Sequence, residues 1–232
     1  MKRFSDTGRI ISYLHKFGLT ELFSEELVKH MELFVFSKGE LVCRKGCESK
    51  YIFLLVEGRL KTYNLYSNGR SLLISFNSPL SIFGDVELFS DLKFQCNVET
   101  LSESTLIAVE AEKVRKYAGN DPDFLKFILR YVSDKLSEFN HLASLNLLYS
   151  LDSRLASYLL SLINDSDETN QEQVVVIPKL IELAQMLGSS YRHLSRTINE
   201  LISKDIIEKD RSKVTVKDIS KLKELSQCNV YR

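Results

Sequence analysis

Between Leu180 and Leu201 the chain reads LIELAQMLGSSYRHLSRTINEL, and no other stretch constrains the fold as tightly. Leu183, Ala184 and Leu187 give one short helix an apolar face. Leu194, Ile198 and Leu201 do the same for a second, at the i, i+4, i+7 spacing of a half-buried helix. Gly188 between them tolerates the left-handed conformation that ends a helix, and Ser189 or Ser190 can cap the next one. Ala184 is small where the two helices would cross. Arg192, Ser195, Arg196 and Asn199 share the other face of the second helix. A guanidinium-bearing face presented in this way suits the major groove of a duplex. An ordinary helical hairpin has the same apolar spacing, so the residues that follow carry the decision.

After Ile206-Ile207 the segment EKDRSKVTV alternates polar and apolar around a charged turn, which is a hairpin signal. Two helices and a hairpin make a winged helix-turn-helix. Lys204, Lys209, Arg211, Lys213 and Lys217 ring the hairpin, where they could meet phosphates. From Ser190 to Lys217 there are seven Lys/Arg against four Asp/Glu, in a chain whose net charge is zero. The basic charge is therefore local.

The 232 residues suffice for one large or two modest domains, and 44% apolar with 27% charged residues is ordinary for a globular protein. Neutral charge argues against polyanion binding over the whole surface. The first residues show no unbroken apolar stretch of signal-peptide type, and the run Tyr51 to Val56 is too short to span a bilayer. A cytoplasmic protein without a membrane partner is expected. The four cysteines, Cys43, Cys47, Cys96 and Cys228, are too few and irregular for a disulfide framework, and no CxxC pair or histidine cluster suggests a metal. There is no phosphate-cradling glycine loop, HExxH or G-x-S-x-G turn, so an enzyme is not expected. No cofactor is identified.

Along the chain, Ile10 to Phe36 reads as helical, with Leu14, Phe17, Leu19, Leu22, Phe23, Leu27, Met31 and Phe34 as core candidates. From Ser37 to about Ala108 the period becomes that of strands: Glu40–Cys43, Tyr51–Val56, Arg59–Leu65, Ser71–Asn77, Cys96–Thr100 and Thr105–Glu110. Glycines punctuate them, which indicates a β-sandwich or jelly roll. Asn120-Asp121-Pro122 is a strong helix start. In the long helix that follows, Leu125, Leu129, Val132, Leu136, Phe139 and Ala143 recur at alternating steps of four and three, the seam of a two-fold dimer. Phe124, Phe127, Ile128, Tyr131, Leu142 and Leu145 widen that face enough to cover the β domain as well. A hinge around Tyr149 to Asp152, a helix from Ser153 to Asn164 and a polar loop from Asp165 to Gln173 complete the reading. The fold class is α+β, in three parts: a β-roll sensor with its N-terminal helix (1–120), a dimerisation helix and hinge (121–150), and the winged helix-turn-helix (151–232).

This order resembles the CRP/FNR family of bacterial transcription regulators over nearly the whole chain. The landmarks are Lys38-Gly39-Glu40, Lys45-Gly46, Val56-Glu57-Gly58, Phe83-Gly84-Asp85, Asn120-Asp121-Pro122-Asp123 and Leu183-Ala184-x-x-x-Gly188. The resemblance implies a cyclic-nucleotide-binding-like jelly roll as sensor and Ser190 to Ser203 as recognition helix. It further implies a homodimer on an inverted repeat of double-stranded DNA, with RNA polymerase as a possible partner. Members that bind cyclic AMP carry a Gly-Glu-Leu turn and, some ten residues on, an Arg-Ser pair that grips the phosphate. Here the turn reads Gly84-Asp85-Val86, and Gln95-Cys96 stands where Arg-Ser would. Asp85 is one methylene shorter, and Gln95 has no charge to neutralise a phosphate. Phe83, Gly84, Asp85, Val86, Gln95 and Cys96 are therefore candidates for an effector pocket that does not take cyclic AMP. Iron–sulfur members carry several cysteines before the β-roll, and none occurs here before Cys43.

Three readings of the sensor stand open. The pocket binds an unknown small molecule, or Cys43, Cys47 and Cys96 form a thiol switch, or the regulator senses nothing. Simple burial of those cysteines is the plain alternative to the second. On DNA, the family's recognition helix often shows Arg-Glu and, four residues later, Arg. Arg196 matches the second arginine and is the candidate for a bidentate guanine contact. Arg192 replaces the glutamate, so the target sequence should differ. Ser189, Ser190, Tyr191, Ser195, Asn199, Lys204, Arg211 and Lys213 are further DNA-contact candidates. A ligand-binding protein-interaction module without DNA readout is the competing class.

Overall fold

A computed structural model describes residues 1–65, 71–90, 92–163 and 173–226, with backbone alone for 71–73, 141–143, 145 and 146. Cys228, the loop expected from Asp165 onward, and the side chains of Leu142, Ala143 and Leu145 lie outside the described residues. The chain divides into two compact units, Met1–Ser137 and Glu138–Arg232.

The first unit is built on a five-stranded sheet. Its strands, in spatial order, are β1 (Lys2–Phe4), β2 (Glu32–Phe36), β9 (Ser104–Glu110), β4 (Tyr51–Glu57) and β7 (Ser81–Phe83). A second sheet has the order β3 (Leu41–Cys43), β8 (Asn97–Thr100), β5 (Leu60–Leu65), β6 (Ser71–Asn77). Side chains alternate across a strand, so β4 and β9, apolar along their length, are buried on both faces. Phe53, Leu55, Phe83, Leu106 and Ala108 meet Cys43, Leu60 and Val98 of the second sheet. Ile52, Leu54, Val56, Ile82, Ile107 and Val109 meet a helical layer on the opposite side.

That layer contains α1 (Thr7–Lys16), α2 (Glu25–Val28), α4 (Ala111–Tyr117) and the start of α5 (Pro122–Leu148). Helix α5 begins as its sequence requires. The Asp121 carboxylate accepts from the backbone N–H groups of Asp123 and Phe124 at 2.9 and 3.0 Å, with Pro122 in the first turn. Phe124 and Ile128 are buried in the helical-layer core, with Phe127, Tyr131 and Val132 packed against it.

Helix α1 ends at Lys16, and the helical reading of Ile10 to Phe36 fails beyond α2. Glu32–Phe36 is a strand paired with both β1 and β9. Met31 and Leu33 point to the helical layer while Phe34 and Phe36 point into the roll, a period of two that a short apolar run disguises.

In the second unit, α6 (Leu151–Ser161), α7 (Leu180–Met186), α8 (Tyr191–Ser203) and α9 (Ile219–Ser226) surround one apolar core. A three-stranded sheet adjoins them in the order β10 (Gln173–Val176), β12 (Lys213–Val216), β11 (Ile207–Asp210). The expected hairpin is β11–β12, with Asp210 opposite Lys213 and Arg211-Ser212 as its two-residue turn.

Candidate nucleic-acid interface and sensor turn

The joint between α7 and α8 follows from local chemistry. Gly188 has φ +59°, the left-handed residue after the helix. Its N–H donates to the Gln185 carbonyl at 3.1 Å, and that of Ser189 donates to the Ala184 carbonyl at 2.8 Å, closing the α7 terminus. Ser190 then starts α8, its hydroxyl accepting from the His193 N–H at 3.2 Å. Leu183, Ala184, Leu187, Leu194, Ile198 and Leu201 are all buried, so the two apolar faces lock together.

That burial turns the rest of α8 outward. Arg192, Arg196 and Asn199 are exposed, with Ser195 half-exposed beside them. Tyr191 is exposed at the first turn and Ser190 at the cap, while Ser189 is half-buried. Lys204, Arg211 and Lys213 are exposed as well. Lys217 differs from the other lysines around the hairpin: its ammonium lies 3.2 Å from both Asp205 and Glu208, which hold it protonated.

In the first unit, the turn between β7 and α3 (Asp85–Leu88), which holds the effector-pocket candidates Gly84 and Asp85, is tightly held. Gly84 has φ +87°, and a Cβ there would lie 2.8 Å from the Tyr51 carbonyl oxygen. Asp85 is buried, and the Lys135 ammonium of α5 reaches both its carboxylate oxygens, at 3.1 and 3.0 Å. Lys135 also donates to the Ile82 carbonyl at 3.2 Å, and Tyr131, one turn earlier, accepts from the Ile82 N–H at 2.7 Å. Arg115 of α4 donates to the Leu88 carbonyl at 2.7 Å and holds the far end of α3. Sequence reasoning missed Lys135 and Arg115, and read Tyr131 only as part of the face that covers the β domain. The available signal was Lys135 standing four residues after Tyr131 on the long helix, at the border of that apolar face.

The other pocket candidates separate. Phe83 is buried in the core between the sheets, and Cys96 is half-buried. Val86 is 48% exposed, and Gln95 is exposed with its amide turned back onto the Lys93 carbonyl at 2.7 Å. Glu87 is buried, which pushes its carboxyl above the usual carboxylate range, and Asp85 adds to the effect while Lys135 opposes it. Cys43 is buried on β3, and burial raises its thiol; Cys96 is raised for the same reason, while Cys47 is exposed. Strands β3 and β8 are paired, which brings the Cys43 and Cys96 segments side by side.

On α5, Leu125, Leu129, Leu136 and Phe139 are 37, 67, 59 and 55% exposed in the single chain, whereas Val132 is half-buried against the helical-layer core. Among the described residues, no helix is long and apolar enough to cross a membrane.

Two family models match: a cyclic nucleotide-binding domain over residues 33–121 and a Crp-like helix-turn-helix domain over 153–225. Regulatory protein YeiL of Escherichia coli O157:H7 is 26% identical over 208 residues, covering 89% of this chain and 90% of that one. A CRP-like cAMP-activated global transcriptional regulator of Mycobacterium tuberculosis is 20% identical over 198 residues, covering 84% of this chain and 88% of its own. A solved CRP/FNR-family regulator of Thermus thermophilus shares the fold with a TM-score of 0.67 at 22% identity, over 84% of this chain and 98% of that one. With a nucleotide-binding-type β-roll ahead of a Crp-like helix-turn-helix, the chain belongs to the CRP/FNR family of transcription regulators.

Proposed function

We propose that this regulator acts as a homodimer on an inverted repeat, with 1–120 as sensor, 121–150 as dimerisation helix and 151–232 as the DNA reader. The observation that carries the reading is the outward face of α8, where Arg192, Arg196 and Asn199 stand exposed, followed along the chain by exposed Lys204, Arg211 and Lys213. Arg196 is assigned a bidentate guanine contact, and Arg192 a base or phosphate. Lys204, Arg211 and Lys213 are assigned phosphates. The exposed Leu125, Leu129, Leu136 and Phe139 give α5 an apolar strip for a second copy of itself. A two-fold dimer would set its recognition helices about 34 Å apart, one turn of duplex.

The sensor is proposed not to take cyclic AMP. The carboxylate placed to meet a ribose hydroxyl, Asp85, is already held by Lys135. Gln95, at the phosphate-gripping position, is neutral and turned onto its own backbone. The M. tuberculosis relative is named as cAMP-activated, and the Gly84-Asp85-Val86 and Gln95-Cys96 departures separate this chain from that property.

Selection of random duplex DNA by the purified protein tests the reading, with and without cyclic AMP. The expected result is one enriched inverted repeat, unchanged by cyclic AMP. Arg196→Ala should then lose about 1–3 kcal/mol of discrimination at one base pair of each half-site while staying folded. An Arg196→Ala variant that still prefers the selected repeat over a duplex altered at that base pair, by as much as wild type does, would sink the base contact.

A further inference from the structure

Arg154 lies on α6 in the second unit and is 9% exposed, inside the apolar core that also buries Leu151, Leu155 and Leu159. A guanidinium is costly to bury and stays buried only where its donors have work. Here Nη1 donates to the backbone carbonyl of Leu187. Leu187 is the residue at which α7 ends, immediately before the left-handed Gly188. Its carbonyl belongs to the last helical turn, where acceptors lack helical partners and the helix dipole favours a cation. The turn is thus held twice: from within, by the Gly188 and Ser189 amides, and from a third helix, by Arg154.

Apolar burial is itself non-directional, whereas a hydrogen bond to a fixed carbonyl has a direction and a length. We infer that Arg154 is a positioning residue for DNA recognition, fixing the α7–α8 turn and hence the angle at which α8 presents Arg192 and Arg196. The inference rests on the DNA reading above. It assigns α6, the first helix after α5, a direct hold on the joint of the reading head. Arg154 itself touches no DNA in this account, so its loss acts on register and leaves phosphate attraction alone.

The test uses the full chain with Arg154→Met, which keeps most of the packing, and Arg154→Gln, which is too short to reach Leu187. Two quantities are read. The first is the affinity for the selected repeat relative to a scrambled duplex at the same salt. The second is amide exchange at Gly188 and Ser189 relative to Leu194 and Ile198. The expected result is a ratio at least tenfold lower, affinity for the scrambled duplex within twofold of wild type, and faster exchange confined to the turn. A folded variant that keeps the full ratio overturns the inference. So does exchange that quickens equally at all four amides, because that is general loss of stability. Should Arg154→Met not fold, Arg154→Gln carries the same two readings, and the exchange arm decides without DNA. A wild-type chain showing no site preference would instead count against the DNA reading itself.

Discussion

Lys135 and Asp85, fifty residues apart in sequence, meet at 3.0 and 3.1 Å across the edge of the first unit, the carboxylate buried and the ammonium side chain 41% exposed. Removing the cation leaves a buried carboxylate uncompensated, which costs more than the pair contributes as a pair. Partial exposure of Lys135 screens the effect. Lys135→Met should therefore destabilise the protein by about 1–3 kcal/mol, and Lys135→Met with Asp85→Asn should recover part of that. Urea unfolding of the two variants beside wild type checks it; a double variant no more stable than the single would remove charge from the explanation.

Glu87 sets a pH dependence of known sign. Burial raises its carboxyl above the unfolded value, with Asp85, Cys43 and Cys96 nearby and Lys135 pulling the other way. The native state therefore holds this proton more tightly than the unfolded chain. Its stabilising contribution is complete below the ordinary carboxylate range and is lost as pH rises through the raised value. Glu87→Gln carries no such proton. The melting temperature of that variant relative to wild type should rise as pH climbs from the ordinary carboxylate range through the raised value. A difference that stays flat with pH would assign Glu87 no part in it.

Arg211 sits at the tip of the β11–β12 turn with φ +51°, a left-handed conformation that costs a non-glycine residue about 1–2 kcal/mol. Arg211→Gly relieves that strain while deleting an exposed cation. Thermal stability should hold or rise, whereas DNA affinity falls and its salt slope drops by about one. Measuring both on one preparation is informative, since a loss of both would point to damage at the turn.

Leu129 and Leu136 are the most exposed apolar residues of the seam within the first unit. Replacing both with Glu should change the stability of the isolated chain by less than about 0.5 kcal/mol per site. Light scattering should nevertheless report 26.7 kDa for the variant and twice that for wild type. An unchanged dimer mass would require another interface.

The features legible in the sequence are those written in short-range periodicity. The α7–α8 unit shows because Leu183, Leu187, Leu194 and Ile198 repeat with the helix, and Gly188 can end it. Helix α5 shows because Asp121 and Pro122 announce it. Glu32–Phe36 misleads, because ELFVF is too short to distinguish a doubly buried strand from the tail of a helix. Lys135 and Arg154 were illegible for a different reason. Each is one polar residue among several on an amphipathic helix, and each acquires its role from a partner 50 or 33 residues away. Local pattern carries no trace of such pairings.

The doubly buried sheet has a mechanical corollary. Phe53 and Leu54 are consecutive, yet one faces the roll and the other faces the layer that includes α5. A single peptide plane is the whole partition between the two compartments. Because that plane is stiff, the partition has no slack in which a disturbance could be absorbed. A shift of the roll's contents at Phe53 therefore has only one stiff peptide unit to cross to reach Leu54 on the helical side, like pressure on one skin of a drum.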